Sequence, residues 1–204
     1  MRTWWLLLFV CTTACAVPLH DFETEVAFQP HADGGRLVYA EHDSVCVKQG
    51  AGALRLVYKD ALPHWGNVVG SCFVPTNATA LRFWLYVHHA RPQAKMHIWL
   101  MEPDGDMWVQ HVAIGGKSVG YLQKGWHEAV LPVSGFQFDG RGKRTREIVS
   151  ANRMLIGCNF GDMEVTVDAM GWEVREMPRS APLPPAQALQ VERGERGNIA
   201  VLEI

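Results

Sequence analysis

The chain has 204 residues, 48% of them hydrophobic, and a formal net charge of −2. That apolar content excludes intrinsic disorder and suffices for one compact domain with its own core. The near-neutral balance gives no general attraction to nucleic acid or to an anionic membrane surface, and no later segment approaches the ~20 apolar residues of a membrane-spanning helix.

At the N-terminus, Arg2 precedes the apolar block Trp4 to Val10, and Ala14-Cys15-Ala16 has the small-x-small form of a signal-peptidase site. This predicts a signal peptide over 1–16, a mature chain starting near Val17, and a secreted or periplasmic product. Thr12-Thr13-Ala14-Cys15 leaves a lipid anchor open as the alternative.

Short runs of alternating apolar and polar residues then recur between Gly, Pro and Asp turns, the pattern of a β-sandwich. Ala53 to Tyr58 places Leu54, Leu56 and Tyr58 on one face, and Asn67 to Phe73 follows the Trp65-Gly66 turn. Leu81 to Val87 turns Leu81, Phe83, Leu85 and Val87 inward, leaving Arg82, Trp84, Tyr86 and His88 on the opposite, aromatic face. Met96 to Met101 and Met107 to Ile114 flank Glu102-Pro103-Asp104-Gly105-Asp106, a hairpin whose Asp-Gly step favours a tight turn. Trp126 to Leu131, Met154 to Phe160 and Glu164 to Val174 complete about nine strands with their neighbours. Trp126, beside Gly125 at a strand start, reads as a structural plug.

The domain therefore spans 17–175. Met177 to Pro185 carries four prolines and reads as a semi-rigid connector, with 197–202 as one further strand. The tail over 176–204 either leads to a downstream domain or packs back on the sandwich.

Of five cysteines, Cys11 and Cys15 leave with the signal peptide. Cys46, Cys72 and Cys158 remain, an odd set that allows a Cys46–Cys72 bridge or three buried thiols.

The residues with chemical potential concentrate in Pro63-His64-Trp65-Gly66-Asn67, in Asp104-Gly105-Asp106-Met107-Trp108, and in the outward pair Trp84 and Tyr86. Aromatic, imidazole and carboxylate groups at strand ends suit a sugar, which offers C–H faces and hydroxyls together. Arg141, Lys143, Arg144 and Arg146 form either a solvated loop or a patch for acidic glycans. An enzyme is the weaker reading: Glu102, Asp104 and Asp106 share one turn, whereas a glycosidase needs carboxyl groups ~5 to 9.5 Å apart across a cleft.

Asp21-Phe22-Glu23, Gly50-Ala51-Gly52-Ala53-Leu54, His64-Trp65-Gly66, Leu81-Arg82-Phe83-Trp84-Leu85, Asp104-Gly105-Asp106-Met107-Trp108, Gly125-Trp126 with Leu131-Pro132 and Phe136, and Val165-Thr166-Val167-Asp168 occur in an order that resembles a jelly-roll carbohydrate-binding module. The resemblance is to the galactose-binding-like superfamily and, within it, to family-11 β-glucan-binding modules. It implies an all-β jelly-roll sandwich of two antiparallel sheets and a structural Ca²⁺ held by Glu23, Asp168 and main-chain oxygens around Lys48 to Gly50, with Asp43 completing the shell. It also implies a saccharide groove in which His64 stands where the family has Tyr, Asp104 supplies an acid, and Asp139 and Arg141 follow the Pro-x-x-x-Phe segment. No counterpart exists for a further family tyrosine, since Gly157, Cys158 and Asn159 occupy its place.

The sequence thus predicts a non-catalytic polysaccharide-binding module whose saccharide contacts are His64, Trp65, Trp84, Tyr86, Asp104, Trp108 and Arg141, partnered by a downstream or separate glycoside hydrolase. A protein-interaction module on the same fold is the alternative.

Overall fold

A computed structural model describes residues 15–24, 28–30, 38–59, 66–92, 94–115, 121–142, 146–159 and 162–175. The expected signal peptide up to Ala14, the connector from Glu176 onward, and His64 and Trp65 lie outside the described residues.

Twelve strands occur among the described residues: β1 (Cys15–His20), β2 (Phe28–Pro30), β3 (Val38–Asp43), β4 (Ala53–Tyr58), β5 (Gly66–Ser71), β6 (Ala78–Ala90), β7 (Lys95–Met101), β8 (Met107–Ala113), β9 (Gly125–Pro132), β10 (Gln137–Asp139), β11 (Arg153–Asn159) and β12 (Met163–Val174). They form two antiparallel six-stranded sheets. Sheet A runs β3-β4-β12-β6-β9 with β1 also on β12, and sheet B runs β10-β8-β7-β11-β5-β2. This is the expected all-β sandwich.

The expected alternation holds where it was strongest. Leu81, Phe83, Leu85 and Val87 of β6 and Leu54, Leu56 and Tyr58 of β4 are buried, and they meet Met96, Ile98 and Leu100 of β7 and Met154 and Ile156 of β11 in one core. Burying such side chains contributes roughly 1.5–3 kcal/mol each, the dominant favourable term. Trp172 of β12 is wholly buried and its indole N–H donates to the Phe73 carbonyl at 2.6 Å. A buried Trp must satisfy that donor, and this bond does so.

Two features differ from the sequence expectation. β6 runs through 13 residues, and its outward Arg82 is braced by ion pairs to both neighbouring strands. Arg82 reaches Glu128 on β9 and Glu173 on β12, while Arg55 of β4 reaches Glu41 at 3.2 Å and Glu164 at 2.5 Å. Trp126 is half-buried outside the core, where it packs on Tyr86 on the outer face of sheet A. Cys46, Cys72 and Cys158 are not joined in a disulfide, and burial pushes the thiols of Cys72 and Cys158 up to about 12.

Candidate functional site

The outer face of sheet B is assembled by strand phase. With Met96, Ile98 and Leu100 committed to the core, β7 must turn His97 and Trp99 outward. The ladder sets His97 opposite Gly157 of β11 and His111 of β8, and Gly157 in turn opposite Asn67 of β5. His97 and Asn67 thus stand two strands apart, separated by a residue with no side chain. They bond directly across that gap, His97 Nε2 to Asn67 Oδ1 at 2.6 Å. Any larger side chain at Gly157 would stand between them.

His97 is 1% exposed, and burial together with the neighbouring His111 lowers its pKa to about 3. The ring is therefore neutral at physiological pH. With the Asn67 oxygen as acceptor, Nε2 carries the hydrogen, and the buried Nδ1, which has no partner, offers a lone pair. Trp99 meets His97 edge-on, ring centroids 5.9 Å apart.

The other end of this face is built by two loops. Asp106, wholly buried at the foot of the 102–106 turn, accepts the Gly142 amide hydrogen at 2.8 Å. Gly142 fits so closely that a Cβ there would lie 2.3 Å from the Asp104 carbonyl oxygen. This docking carries Arg141 over Trp99, guanidinium carbon 5.4 Å from the ring centroid, while Asp139 holds Arg141 Nε at 2.9 Å. Asp104 and Arg141, both expected from the sequence, are brought together at this end.

Trp108 takes the inward phase of β8, opposite Leu100. Its indole N–H donates to buried Glu102 at 2.7 Å, Ser150 Oγ donates to the same carboxylate at 3.2 Å, and Phe138 packs edge-on at 5.1 Å. Trp108 thereby braces the turn that presents Asp104. Glu102, Asp104 and Asp106 have carboxylate oxygens within 4.8 Å of one another, a single bunched group with no opposing acid in that turn.

Trp84 and Tyr86 belong to the other sheet. Tyr86 packs against Trp126 and against His88 at 4.6 Å, and Lys48 Nζ lies 4.4 Å above Trp84. The described saccharide candidates therefore divide three ways: Trp84 and Tyr86 on the outer face of sheet A, Asp104 and Arg141 at one end of the outer face of sheet B, and Trp108 turned inward from β8 against the core.

Glu23 and Asp168, the expected calcium ligands, grip one loop. Asp168 Oδ2 accepts the amide hydrogens of Lys48 and Gln49 at 2.6 and 2.9 Å, and Glu23 Oε2 accepts that of Ala51 at 2.7 Å. Asp168 Oδ1 is buried with no partner, and a Cβ at Gly50 would fall 1.6 Å from Glu23 Oε1. Phe22 and Ala169, adjacent in sequence to these acids, hold φ of 60° and 46°, strained values for non-glycine residues that cluster at ligand clamps. An orphaned buried carboxylate oxygen on Asp168, with Glu23 holding the same loop, fits a hard cation. Asp43 is turned elsewhere: Oδ1 accepts from Val45 and Cys46 amides at 2.8 and 2.9 Å, and Oδ2 from Thr166 at 3.3 Å.

Sequence reasoning did not single out His97, Asn67 and Trp99 as a site. The signal was present in the alternation of Met96 to Met101, which leaves His97 and Trp99 on the face opposite Ile98.

No protein-family model matches the chain, and no curated protein matches it. Solved structures do resemble it. The family 11 carbohydrate-binding module of cellulosomal cellulase Lic26A-Cel5E of Clostridium thermocellum superposes with a TM-score of 0.62 at 13% identity, over 80% of this chain and 97% of that one. The Clostridium thermocellum family 11 module in complex with a β-1,3-1,4-mixed-linked tetrasaccharide gives 0.60 at 14%, over 78% and 96%. The family 30 module of cellulosomal cellulase Cel9D-Cel44B of the same organism gives 0.55 at 9%, over 80% and 99%. The chain thus has the β-sandwich jelly-roll fold of these carbohydrate-binding modules.

Proposed function

We propose that this chain is a non-catalytic module that binds polysaccharide on the outer face of sheet B. One observation carries the reading: half-buried Trp99 lies beneath the pre-ordered Arg141–Asp139 pair and is held edge-on by the buried His97–Asn67 pair. A pyranose ring offers a C–H face to an indole, and its hydroxyls act as both donors and acceptors. Arg141 supplies donors and Asp139 and Asp104 supply acceptors. His97, buried beneath this surface, packs edge-on against Trp99 and fixes the ring without reaching the ligand. All of these groups are fixed before ligand arrives, so little ordering cost falls on binding.

In this reading Ca²⁺ is held by Glu23, Asp168 and main-chain oxygens near Lys48 to Gly50, where it pins the first and last strands without touching saccharide. The chain is exported, and binding brings an attached or partner glycoside hydrolase to its substrate. Such tethering makes weak single-site affinity useful through effective concentration.

A panel of soluble polysaccharides in affinity electrophoresis, including mixed-linked β-glucan, tests the reading. Retardation by at least one polysaccharide, lost in Trp99→Ala, is the expected result. Retardation by none, with capture of a protein partner through the aromatic face of Trp84, Tyr86 and Trp126, would favour the interaction module instead.

A further inference from the structure

The outer face of sheet A carries a set of donors that the saccharide site does not use. Asp43 ends β3, Cys46 lies in the loop that follows, and His88 projects from β6. A carboxylate oxygen, the thiol sulfur and an imidazole nitrogen from these three residues lie within 4.8 Å of one another.

The backbone aims each of them. Asp43 Oδ1 accepts the amides of Val45 and Cys46, an Asx turn that folds the loop back and brings the thiol to the carboxylate. His88 is the extra residue of a bulge: Glu164 pairs with His89 and Val165 with Val87, so His88 has no opposite number on β12. Bulges of this kind re-aim a side chain. Thr166, on β12, completes the arrangement, its hydroxyl 2.8 Å from His88 Nε2 and 3.3 Å from Asp43 Oδ2.

The charged groups facing the cluster are mostly matched. Arg55 is paired with Glu41 and Glu164, Asp168 holds the Lys48 and Gln49 amides, and Lys124 faces His88 from outside. Arg55 faces the cluster from β4 with its charge already paired, and Cys46 and His88 are both partly exposed, so an ion can enter from solvent.

We propose that Asp43, Cys46 and His88 bind one transition-metal ion of the Zn²⁺ class, with thiolate, imidazole and carboxylate as protein ligands and water in the fourth position. Calcium and magnesium take oxygen donors, whereas a mixed sulfur, nitrogen and oxygen set is that of zinc and its neighbours. Metal–ligand bonds of about 2.0–2.3 Å in a tetrahedron require donor separations of roughly 3.3 to 3.8 Å. Cys46, on a loop, supplies the adjustment to that spacing. On binding, the Cys46 thiol gives its proton to solvent, and the neutral His88 imidazole binds through one ring nitrogen with its hydrogen carried on the other. Thr166 keeps its bond to Asp43 and so orients that ligand. The ion ties the 44–50 loop to the middle of sheet A.

Reduced, tag-free full chain titrated with Co²⁺ tests the proposal. One equivalent should bring the visible bands of a tetrahedral site and a near-ultraviolet thiolate-to-cobalt charge-transfer band, both abolished by added Zn²⁺. Cys46→Ser should remove the charge-transfer band, Cys72→Ser should retain it, and His88→Ala should weaken binding tenfold or more. In the wild-type chain, Zn²⁺ should slow alkylation of Cys46 while leaving Cys72 unaffected, a readout that needs no variant to fold. Absence of the band in the wild-type chain, its persistence in Cys46→Ser, or equal alkylation with and without Zn²⁺ would overturn the assignment.

Discussion

Arg141 lies over the indole of Trp99 although β8, β10 and the 102–106 turn separate them along the chain, and the contact exists because Gly142 seats against Asp104 and Asp106. A cation over an aromatic face contributes about 0.5–1 kcal/mol at an exposed site, and truncating a central aromatic anchor costs about 2 kcal/mol or more of binding. Trp99→Ala should therefore abolish retention on polysaccharide, and Arg141→Ala should weaken it several-fold. Trp84→Ala, on the opposite face, should leave it unchanged. Loss of retention in Trp84→Ala with Trp99→Ala unaffected would move the site to sheet A.

The buried, neutral His97 predicts that the chain loses stability in mild acid. Burial first, then His111, lowers its pKa from 6.5 to about 3 in the folded chain, while the unfolded chain titrates near the ordinary value. Between those limits the unfolded state binds more protons, so stability is flat above pH ~6.5 and falls as pH drops, with a slope approaching ~1.4 kcal/mol per pH unit. Burial also lowers the pKa of His20, His88 and His111, which adds the same sign. His97→Gln can keep a hydrogen bond to Asn67 but cannot titrate. Its melting temperature should decline less steeply than the wild type between pH 7 and pH 5, a window above the ordinary carboxylate range. Parallel slopes for the two proteins would remove His97 from the account.

The outward set Arg82, Trp84, Tyr86 and His88 was legible in the sequence because a 13-residue strand repeats its period long enough to fix the phase. The same arithmetic on β7 and β8 separates Trp99, outward opposite Val109, from Trp108, inward opposite Leu100. What no local pattern contains is lateral placement. That Gly157 falls between Asn67 and His97, or that Gly142 closes on the 102–106 turn, depends on pairings between segments far apart in sequence. The order of short motifs pointed to the fold, whereas the polar pairs around Trp99 became visible only once β5, β11 and β7 lay side by side.

Calcium should stabilise the fold through Glu23 and Asp168. An ion held only by the native state adds about 2.7 kcal/mol when its concentration is a hundred times its dissociation constant. Melting in millimolar Ca²⁺ should thus exceed that in a calcium chelator by several degrees, and Asp168→Asn should lose the difference while leaving saccharide specificity unchanged. Magnesium, with its stricter octahedral demand, should substitute poorly. Identical melting with calcium and with chelator would show that the two acids serve only to anchor the Lys48–Ala51 amides.

Tyr58 and Ile156 bind the two sheets to each other through the core. The Tyr58 hydroxyl, from β4 of sheet A, donates to the Ile156 carbonyl of β11 in sheet B at 2.7 Å, and the phenol is 1% exposed. Burial drives its pKa well above the ordinary value, so the proton stays on the oxygen and the bond persists at any working pH. Because β11 is flanked by β5 and β7, its carbonyls also have ladder donors, and Tyr58→Phe leaves no acceptor wholly orphaned. The cost should therefore stay near 1 kcal/mol, the net worth of one hydrogen bond. Tyr58→Ala also opens a cavity and should cost about 3–5 kcal/mol, by analogy with other buried aromatic truncations. Urea denaturation midpoints separate the two terms: a Tyr58→Phe loss as large as that of Tyr58→Ala would mean that the hydroxyl, not the ring, holds the sheets in register.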